Sequence, residues 1–172
     1  MKRGSNPFTI NVGFLVKAEP GFEREFEFEL PEVFLPPDTQ LQNLRGKATI
    51  GRTPQGLISD VAVSAQTPSE CARCLTPLNQ GIATEFTELF AFDERSMTDS
   101  QLLLPKNHQI DFAPLIREYL ILDMPISPLC KTECLGLCPE CGINRNEEDC
   151  GHVQGSIDPR FDALKDFLDQ QD

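Results

Sequence analysis

Two cysteine pairs, each with two residues between the partners, are the part of the sequence best suited to chemistry. The pairs are Cys71 with Cys74 and Cys138 with Cys141, and Gly142 follows the second pair. At this spacing a turn aims both sulfurs at one metal ion, and a glycine after the pair gives the turn the conformational freedom it needs. Each pair therefore predicts half of a metal site.

Four further donors lie near the second pair, so the chain has eight candidate ligands, the number that two tetrahedral sites need. Thiolates with one imidazole favour zinc. Because four protein ligands leave no open position for water, we predict structural zinc, one or two ions per chain. The predicted ligands are Cys71, Cys74, Cys130, Cys134, Cys138, Cys141, Cys150 and His152.

Two partitions of these ligands agree with the spacing. The first combines each tight pair with a second pair, giving one site of Cys71, Cys74, Cys130 and Cys134 and another of Cys138, Cys141, Cys150 and His152. The second joins both tight pairs in one ribbon-like site and leaves the other donors partly free. The sequence alone does not choose between them.

Other cysteine chemistries have less support. An odd count of seven cannot pair completely as disulfides within one chain. The first residues contain no apolar run of the kind that forms a signal peptide or a membrane span. We therefore expect a cytoplasmic protein with reduced thiols. Neither tight pair follows a βαβ pattern typical of redox motifs, and an iron-sulfur cluster has no further support. No nucleophile motif or phosphate loop is present either, so we expect no enzyme activity.

The net charge of −12 bears on the partner. Acidic residues cluster at residues 23–29, 147–149 and 162–172. Such a surface repels nucleic-acid phosphates and suits a basic protein, although acidity also serves solubility alone.

The elements that position the cysteines begin with strands over most of residues 8–90. In residues 22–30 phenylalanines alternate with glutamates, which predicts a half-buried strand with the aromatic rings on one face. Further strands are predicted at residues 8–16, 46–51, 57–65 and 78–90. Pro54 and Gly56 predict a hairpin turn at residues 52–56.

After a predicted loop at residues 93–107, Asp111 is expected to cap a helix that packs on the sheet. Its apolar stripe comprises Phe112, Leu115, Ile116, Tyr119 and Leu120. The sequence therefore predicts one α+β domain: a β-rich part at residues 1–92 that forms a sheet or partial barrel, a docking helix at 108–124, a cysteine-rich segment at 128–155 and a C-terminal helix at 157–170 that begins near Asp158 and Pro159.

Four motifs in this order resemble the YceD family, the large ribosomal RNA subunit accumulation proteins. They are R-T-x-x-G at residues 52–56, C-x-R-C-L at 71–75, G-L-C-P-x-C-G at 136–142 and D-P-R at 158–160. The resemblance implies a bacterial protein, with plastid relatives, that is needed for normal accumulation of the large-subunit ribosomal RNA. It supplies no established catalytic residue.

The resemblance and the acidity together favour a non-enzymatic factor that binds a large-subunit ribosomal protein or a pre-ribosomal particle. Two alternatives remain open. In one, a zinc module binds ribosomal RNA directly through Arg52, Arg73 and Arg145. In the other, a C-x-x-C pair acts in thiol redox chemistry.

Overall fold

The computed structural model describes residues 6–152, which form two antiparallel sheets, a ten-residue helix and a cysteine-rich tail. In chain order the elements are β1 (Thr9–Asn11), α1 (Gly13–Val16), β2 (Glu23–Leu35), β3 (Thr39–Arg52), β4 (Gly56–Glu70), β5 (Pro77–Ala91), a 3₁₀ turn (Glu94–Ser96), β6 (Gln109–Asp111) and α2 (Ala113–Leu122).

Strands β2 to β5 form a meander in which each strand pairs with the next one in the chain. Within residues 6–152, β2 and β5 pair only with β3 and β4 and not with each other, so the sheet is open and is not a closed barrel. This is the sheet alternative of the predicted β-rich fold. The predicted hairpin turn is confirmed: Arg52 pairs with Leu57, and the Thr53 hydroxyl accepts the Gly56 N–H at 3.1 Å.

One face of this sheet carries the hydrophobic core. In β2 the alternation holds, because Phe28 is buried while the glutamates on either side of it are exposed. Helix α2 covers part of the same face, as predicted. Phe112 meets Phe90 edge-on at 5.8 Å between ring centroids, and Tyr119 stacks on Phe86 at 4.2 Å. The opposite face of the sheet presents charged and small side chains to solvent.

The N-terminal prediction needs two corrections. A strand over residues 8–16 is wrong in its second half, where α1 forms a short helix. Its first N–H, on Gly13, is accepted by the Asn11 side chain at 2.9 Å, and Leu15 N–H returns to the Val12 carbonyl at 2.9 Å. Phe22, expected on the buried face of the next strand, precedes β2 and is 47% exposed.

Strand β3 is longer than the predicted residues 46–51. Asn43 has φ of +50°, which interrupts the alternation, so that Leu41 and Leu44 are both buried although they lie three residues apart. A period of two cannot be recognised across such an irregularity.

The stretch at residues 93–124 also differs from the prediction. The expected loop contains the 3₁₀ turn, and β6 pairs with β1 through Ile110 and Ile10. Phe112, not Asp111, is the N-cap of α2, although the Asp111 carboxylate still accepts the Ala113 N–H at 2.9 Å. The helix is shorter than the predicted residues 108–124.

The predicted C-terminal helix at residues 157–170 and the end of the predicted 128–155 segment lie outside the described residues. Among the residues described, no helix has both the length and the apolar character needed to span a membrane.

Candidate metal centre

The first tight cysteine pair lies in the loop that joins β4 to β5. Cys71 follows the last residue of β4, and the chain re-enters the sheet at Pro77. Two hydrogen bonds close the loop: Cys71 N–H to the Thr76 carbonyl at 3.0 Å, and Leu75 N–H to the Cys71 carbonyl at 2.9 Å. Leu75 has φ of +59° in this turn. The sheet therefore holds one half of a metal site at the end of its β4–β5 hairpin.

The tail supplies the second half of this first site. The Cys71 and Cys134 sulfurs are 3.7 Å apart, and those of Cys74 and Cys130 are 3.6 Å apart. All four sulfurs lie within 4.8 Å of one another. Four sulfurs at about 2.3 Å from a tetrahedral ion would be about 3.8 Å apart, so the spacing fits zinc and is far too long for a disulfide.

The tail docks onto the hairpin loop through main-chain hydrogen bonds. Ala72 N–H donates to the Pro128 carbonyl at 2.8 Å, and Leu137 N–H donates to the Arg73 carbonyl at 3.0 Å. Gly136, with φ of +75°, makes the approach possible, because an added Cβ would lie 3.2 Å from the Arg73 carbonyl oxygen. The first site thus joins two segments that are far apart in sequence.

The second site lies wholly within the tail, at Cys138, Cys141, Cys150 and His152. Gly142 N–H closes the turn onto the Cys138 carbonyl at 2.9 Å, and its φ of +76° is the conformation for which a glycine was expected. The Cys138 sulfur is 3.7 Å from Nδ1 of His152. Three sulfurs and one imidazole form a closed tetrahedral donor set.

The two sites differ in their access to solvent. In the first site Cys71, Cys74 and Cys134 are buried, and they pack with leucines of the hairpin and tail. In the second only Cys138 is buried, while Cys141 and His152 are exposed. An ion in the second site would therefore be the more accessible to chelators.

Each site has a thiol whose pKa is lowered to about 6. The backbone N–H of Cys130 lowers the pKa of Cys71 to about 6, and the backbone N–H of Cys141 lowers the pKa of Cys138 to about 6. Desolvation, with the nearby thiols, raises the pKa of Cys130 to about 12. Thiols this close cannot all ionise unless a cation compensates their charge, which is what a bound dication would do.

The structure thus brings together all eight predicted ligands and groups them as the first partition does. The ribbon-like alternative is not observed, since the two tight pairs lie in different groups. The donor chemistry and spacing of both groups fit zinc, which would act as a closed structural cross-link without an open coordination position. Zinc occupancy remains a prediction.

One contributor was missed in the sequence. The Asn146 amide nitrogen lies 3.3 Å from the Cys134 sulfur and 2.8 Å from the Asn144 side-chain oxygen, and its amide oxygen accepts the Leu135 N–H at 3.0 Å. Desolvation tends to raise the pKa of Cys134, yet the hydrogen bonds from Asn146 and from the Gly136 N–H lower it overall. The only local signal was an asparagine inside a cysteine-rich loop.

The three arginines considered for RNA binding have structural contacts. Arg73 donates from Nη1 to the Cys134 carbonyl at 3.0 Å. The Arg52 guanidinium lies 4.2 Å from the centroid of the Phe92 ring, with Nε and Nη1 buried. Arg145 N–H donates to the Gly136 carbonyl at 3.0 Å. The guanidinium groups of Arg73 and Arg52 therefore both have contacts within the chain, although Arg73 is an exposed residue.

The comparison with known families identifies the chain. The family described as large ribosomal RNA subunit accumulation protein YceD matches residues 59–168, which is most of the chain and includes all eight candidate ligands. The chain belongs to the YceD family. The expected relationship is confirmed, and the family's name refers to accumulation of the large ribosomal RNA subunit.

Several YceD relatives are similar in sequence. An uncharacterized protein of Mycobacterium tuberculosis is 34% identical over 118 residues, covering 66% of this chain and 56% of the relative. YlbN of Bacillus subtilis, also uncharacterized, is 27% identical over 118 residues, covering 66% of this chain and 67% of YlbN. The chloroplastic YCED homolog 1 of Arabidopsis thaliana is 29% identical over 66 residues, covering 38% of this chain and 21% of that protein.

The alignment spans little more than half the length of the mycobacterial relative. Properties of the whole relative are therefore not assigned to this chain. No solved structure matches the chain.

Proposed function

We propose that this protein is a non-enzymatic factor that supports accumulation of the large-subunit ribosomal RNA by binding a basic ribosomal protein or an assembly intermediate. The observation that carries the proposal is the family match over residues 59–168. In this proposal the cysteine clusters hold zinc, which fixes the tail to the sheet and takes no part in a reaction.

The closed donor sets support the structural role of zinc. Each group offers four protein ligands, so a tetrahedral ion in it would have no position left for a substrate or an activated water. The first site also joins the β4–β5 loop to the tail, which is the arrangement expected of a cross-link. The net charge of −12 supports a basic partner over direct binding to phosphates.

Affinity purification of the tagged full chain from its native cells tests the partner. We expect large-subunit ribosomal proteins or precursor particles to co-purify, and we expect a deletion strain to contain less large-subunit RNA relative to small-subunit RNA. Normal RNA ratios together with no recovered large-subunit component would overturn the proposal.

Elemental analysis with thiol titration tests the role of the cysteines. One or two zinc ions per chain and unreactive thiols are expected. Cys138→Ser should remove zinc from the tail site and lower the zinc content by about one ion. A metal-free native protein with reactive, reversibly oxidised thiols would instead support the redox alternative.

A further inference from the structure

A continuous groove follows the solvent-facing side of the four-stranded sheet. Its central part has a volume of about 710 Å³ and crosses all four strands, from Glu27 in β2 to Glu85 in β5. Two depressions, of about 520 and 430 Å³, adjoin it and share residues with it. Ser64 and Ala83 line both the central part and the first depression, and Ala62 lines both the central part and the second. These depressions therefore form one groove.

Small side chains make the floor of the groove. Ala62, Ser64 and Ala83 occupy adjacent positions on β4 and β5, next to the longer charged side chains of Arg45 and Lys47 on β3 and of Glu85 on β5. Along β5 the groove extends from Gly81 to Thr87. Six residue steps in a strand correspond to about 20 Å, the length of an extended peptide of about six or seven residues.

The groove has an excess of acidic groups. Its lining has four acidic side chains, Glu27, Glu29, Asp60 and Glu85, and two basic ones, Arg45 and Lys47. Both basic groups already form ion pairs with β2 at 3.2 Å, Arg45 with Glu29 and Lys47 with Glu25. The other three acids of the lining, Glu27, Asp60 and Glu85, have no ion-pair partner within residues 6–152.

We propose that this groove binds an extended lysine- and arginine-rich segment of a partner protein. The inference rests on the proposed function, because it assigns a contact surface to the basic partner named there. Cationic side chains would pair with Glu27 and Glu85 on opposite rims, while the small floor residues let the segment lie close to the sheet. The same acids repel a nucleic-acid strand or a second copy of this acidic chain.

Binding of a fluorescent arginine- and lysine-rich peptide to the full, zinc-loaded chain tests the groove. A peptide with glutamine at each basic position serves as the neutral probe. We expect the double variant Glu27→Gln/Glu85→Gln to weaken binding roughly two- to twentyfold at low salt, and less at high salt. Glu19→Gln/Glu94→Gln removes the same charge from exposed residues outside the groove and should have little effect.

A steric variant distinguishes binding in the groove from non-specific electrostatic attraction to the acidic chain. Ala83→Tyr fills the floor at an exposed position without changing charge, and it should also weaken peptide binding. Circular dichroism and zinc content would show that each variant remains folded. The proposal is overturned if both double variants weaken binding equally, if Ala83→Tyr has no effect, or if a ribosomal RNA fragment binds the wild type more tightly than the peptide does.

Affinity purification separates failure of the groove from failure of the proposed function. If the wild type and the groove variants recover the same large-subunit components, the function stands and the groove is the wrong surface. If the wild type recovers none and RNA ratios stay normal on deletion, the function itself fails. Loss of recovery in the groove variants but not in the Glu19→Gln/Glu94→Gln control supports both.

Discussion

Replacement of Asn146 by alanine should weaken metal binding at the first site without removing a ligand. Asn146 lies in the loop between Cys141 and Cys150, which belongs to the second site, yet its amide nitrogen is 3.3 Å from the Cys134 sulfur of the first. Its amide oxygen also holds the Leu135 N–H at 3.0 Å, next to that ligand. The substitution therefore removes a donor to the thiolate and an anchor of the ligand's main chain.

The size of the effect follows from the number of hydrogen bonds lost. Loss of outer-shell partners of this kind typically costs about 10- to 100-fold in metal affinity. Because Leu135 is exposed, water can replace the partner of its N–H, so we expect the lower half of that range. The four thiols remain in place, so the total number of sites should not change.

Competition between the protein and a chromophoric chelator measures this affinity. With increasing chelator, the variant should release the first-site ion about 10-fold earlier than the wild type does. Cobalt substitution distinguishes a four-sulfur site from a three-sulfur, one-nitrogen site by its absorption bands. Asn79→Ala removes an exposed asparagine and is the matched control. Unchanged first-site affinity in Asn146→Ala would refute the reasoning, as would an equal loss in the control.

Three further predictions concern the scaffold. Gly136→Ala should lower stability by about 1–2 kcal/mol, because φ of +75° disfavours a side chain, and should loosen first-site metal. Tyr119→Phe should cost about 1–3 kcal/mol in urea unfolding, since the hydroxyl that donates to buried Glu88 at 2.6 Å is lost. Asp38→Asn should lower the melting temperature at neutral pH, because the ion pair with Arg117 is lost. Arg117 lowers the pKa of Asp38 in the folded protein, so the difference in melting temperature between wild type and variant should shrink as the pH falls below about 4 and the carboxylate is protonated.

Each of these has its own check. Gly81→Ala is the control for the glycine, because an added Cβ there has no neighbour within 4 Å, and equal destabilisation would contradict the positive-φ argument. The hydrogen bond to Glu88 raises the pKa of Tyr119 to about 12. An unchanged free energy of unfolding in Tyr119→Phe would contradict the prediction. For Asp38, a loss of melting temperature that grows towards acid pH would contradict the predicted pH dependence.

Local patterns predicted the parts of the fold that depend on local chemistry. The alternation in β2, the turn at Pro54 and Gly56 and the stripe of α2 each depend on neighbouring residues, and the structure has all three. The pairing of β1 with β6 joins residues about a hundred positions apart, so no window of the sequence contains it. The irregularity at Asn43 likewise hides the first half of β3.

In the candidate site, too, some features could be predicted from local sequence and others depend on the tertiary structure. Spacing identified all eight donors, but the partition depends on where the β4–β5 hairpin places Cys71 and Cys74 relative to the tail, and this is a tertiary property. Asn146 was missed for the same reason, because an asparagine acquires a role at a sulfur only when two loops meet.

The position of the first site connects the metal centre with the groove. Cys71 and Cys74 close the hairpin whose two strands carry Ala62, Ser64 and Ala83, so the ion would clamp one end of the same two strands that form the groove floor. The pairing of β4 with β5 is continuous from Leu57 to Glu70. A constraint at the Cys71 end of the hairpin would therefore also restrict the strands at the floor residues. A bound zinc ion would therefore not need to touch a partner to affect binding, because it would hold the end of the β-ribbon on which the partner would lie.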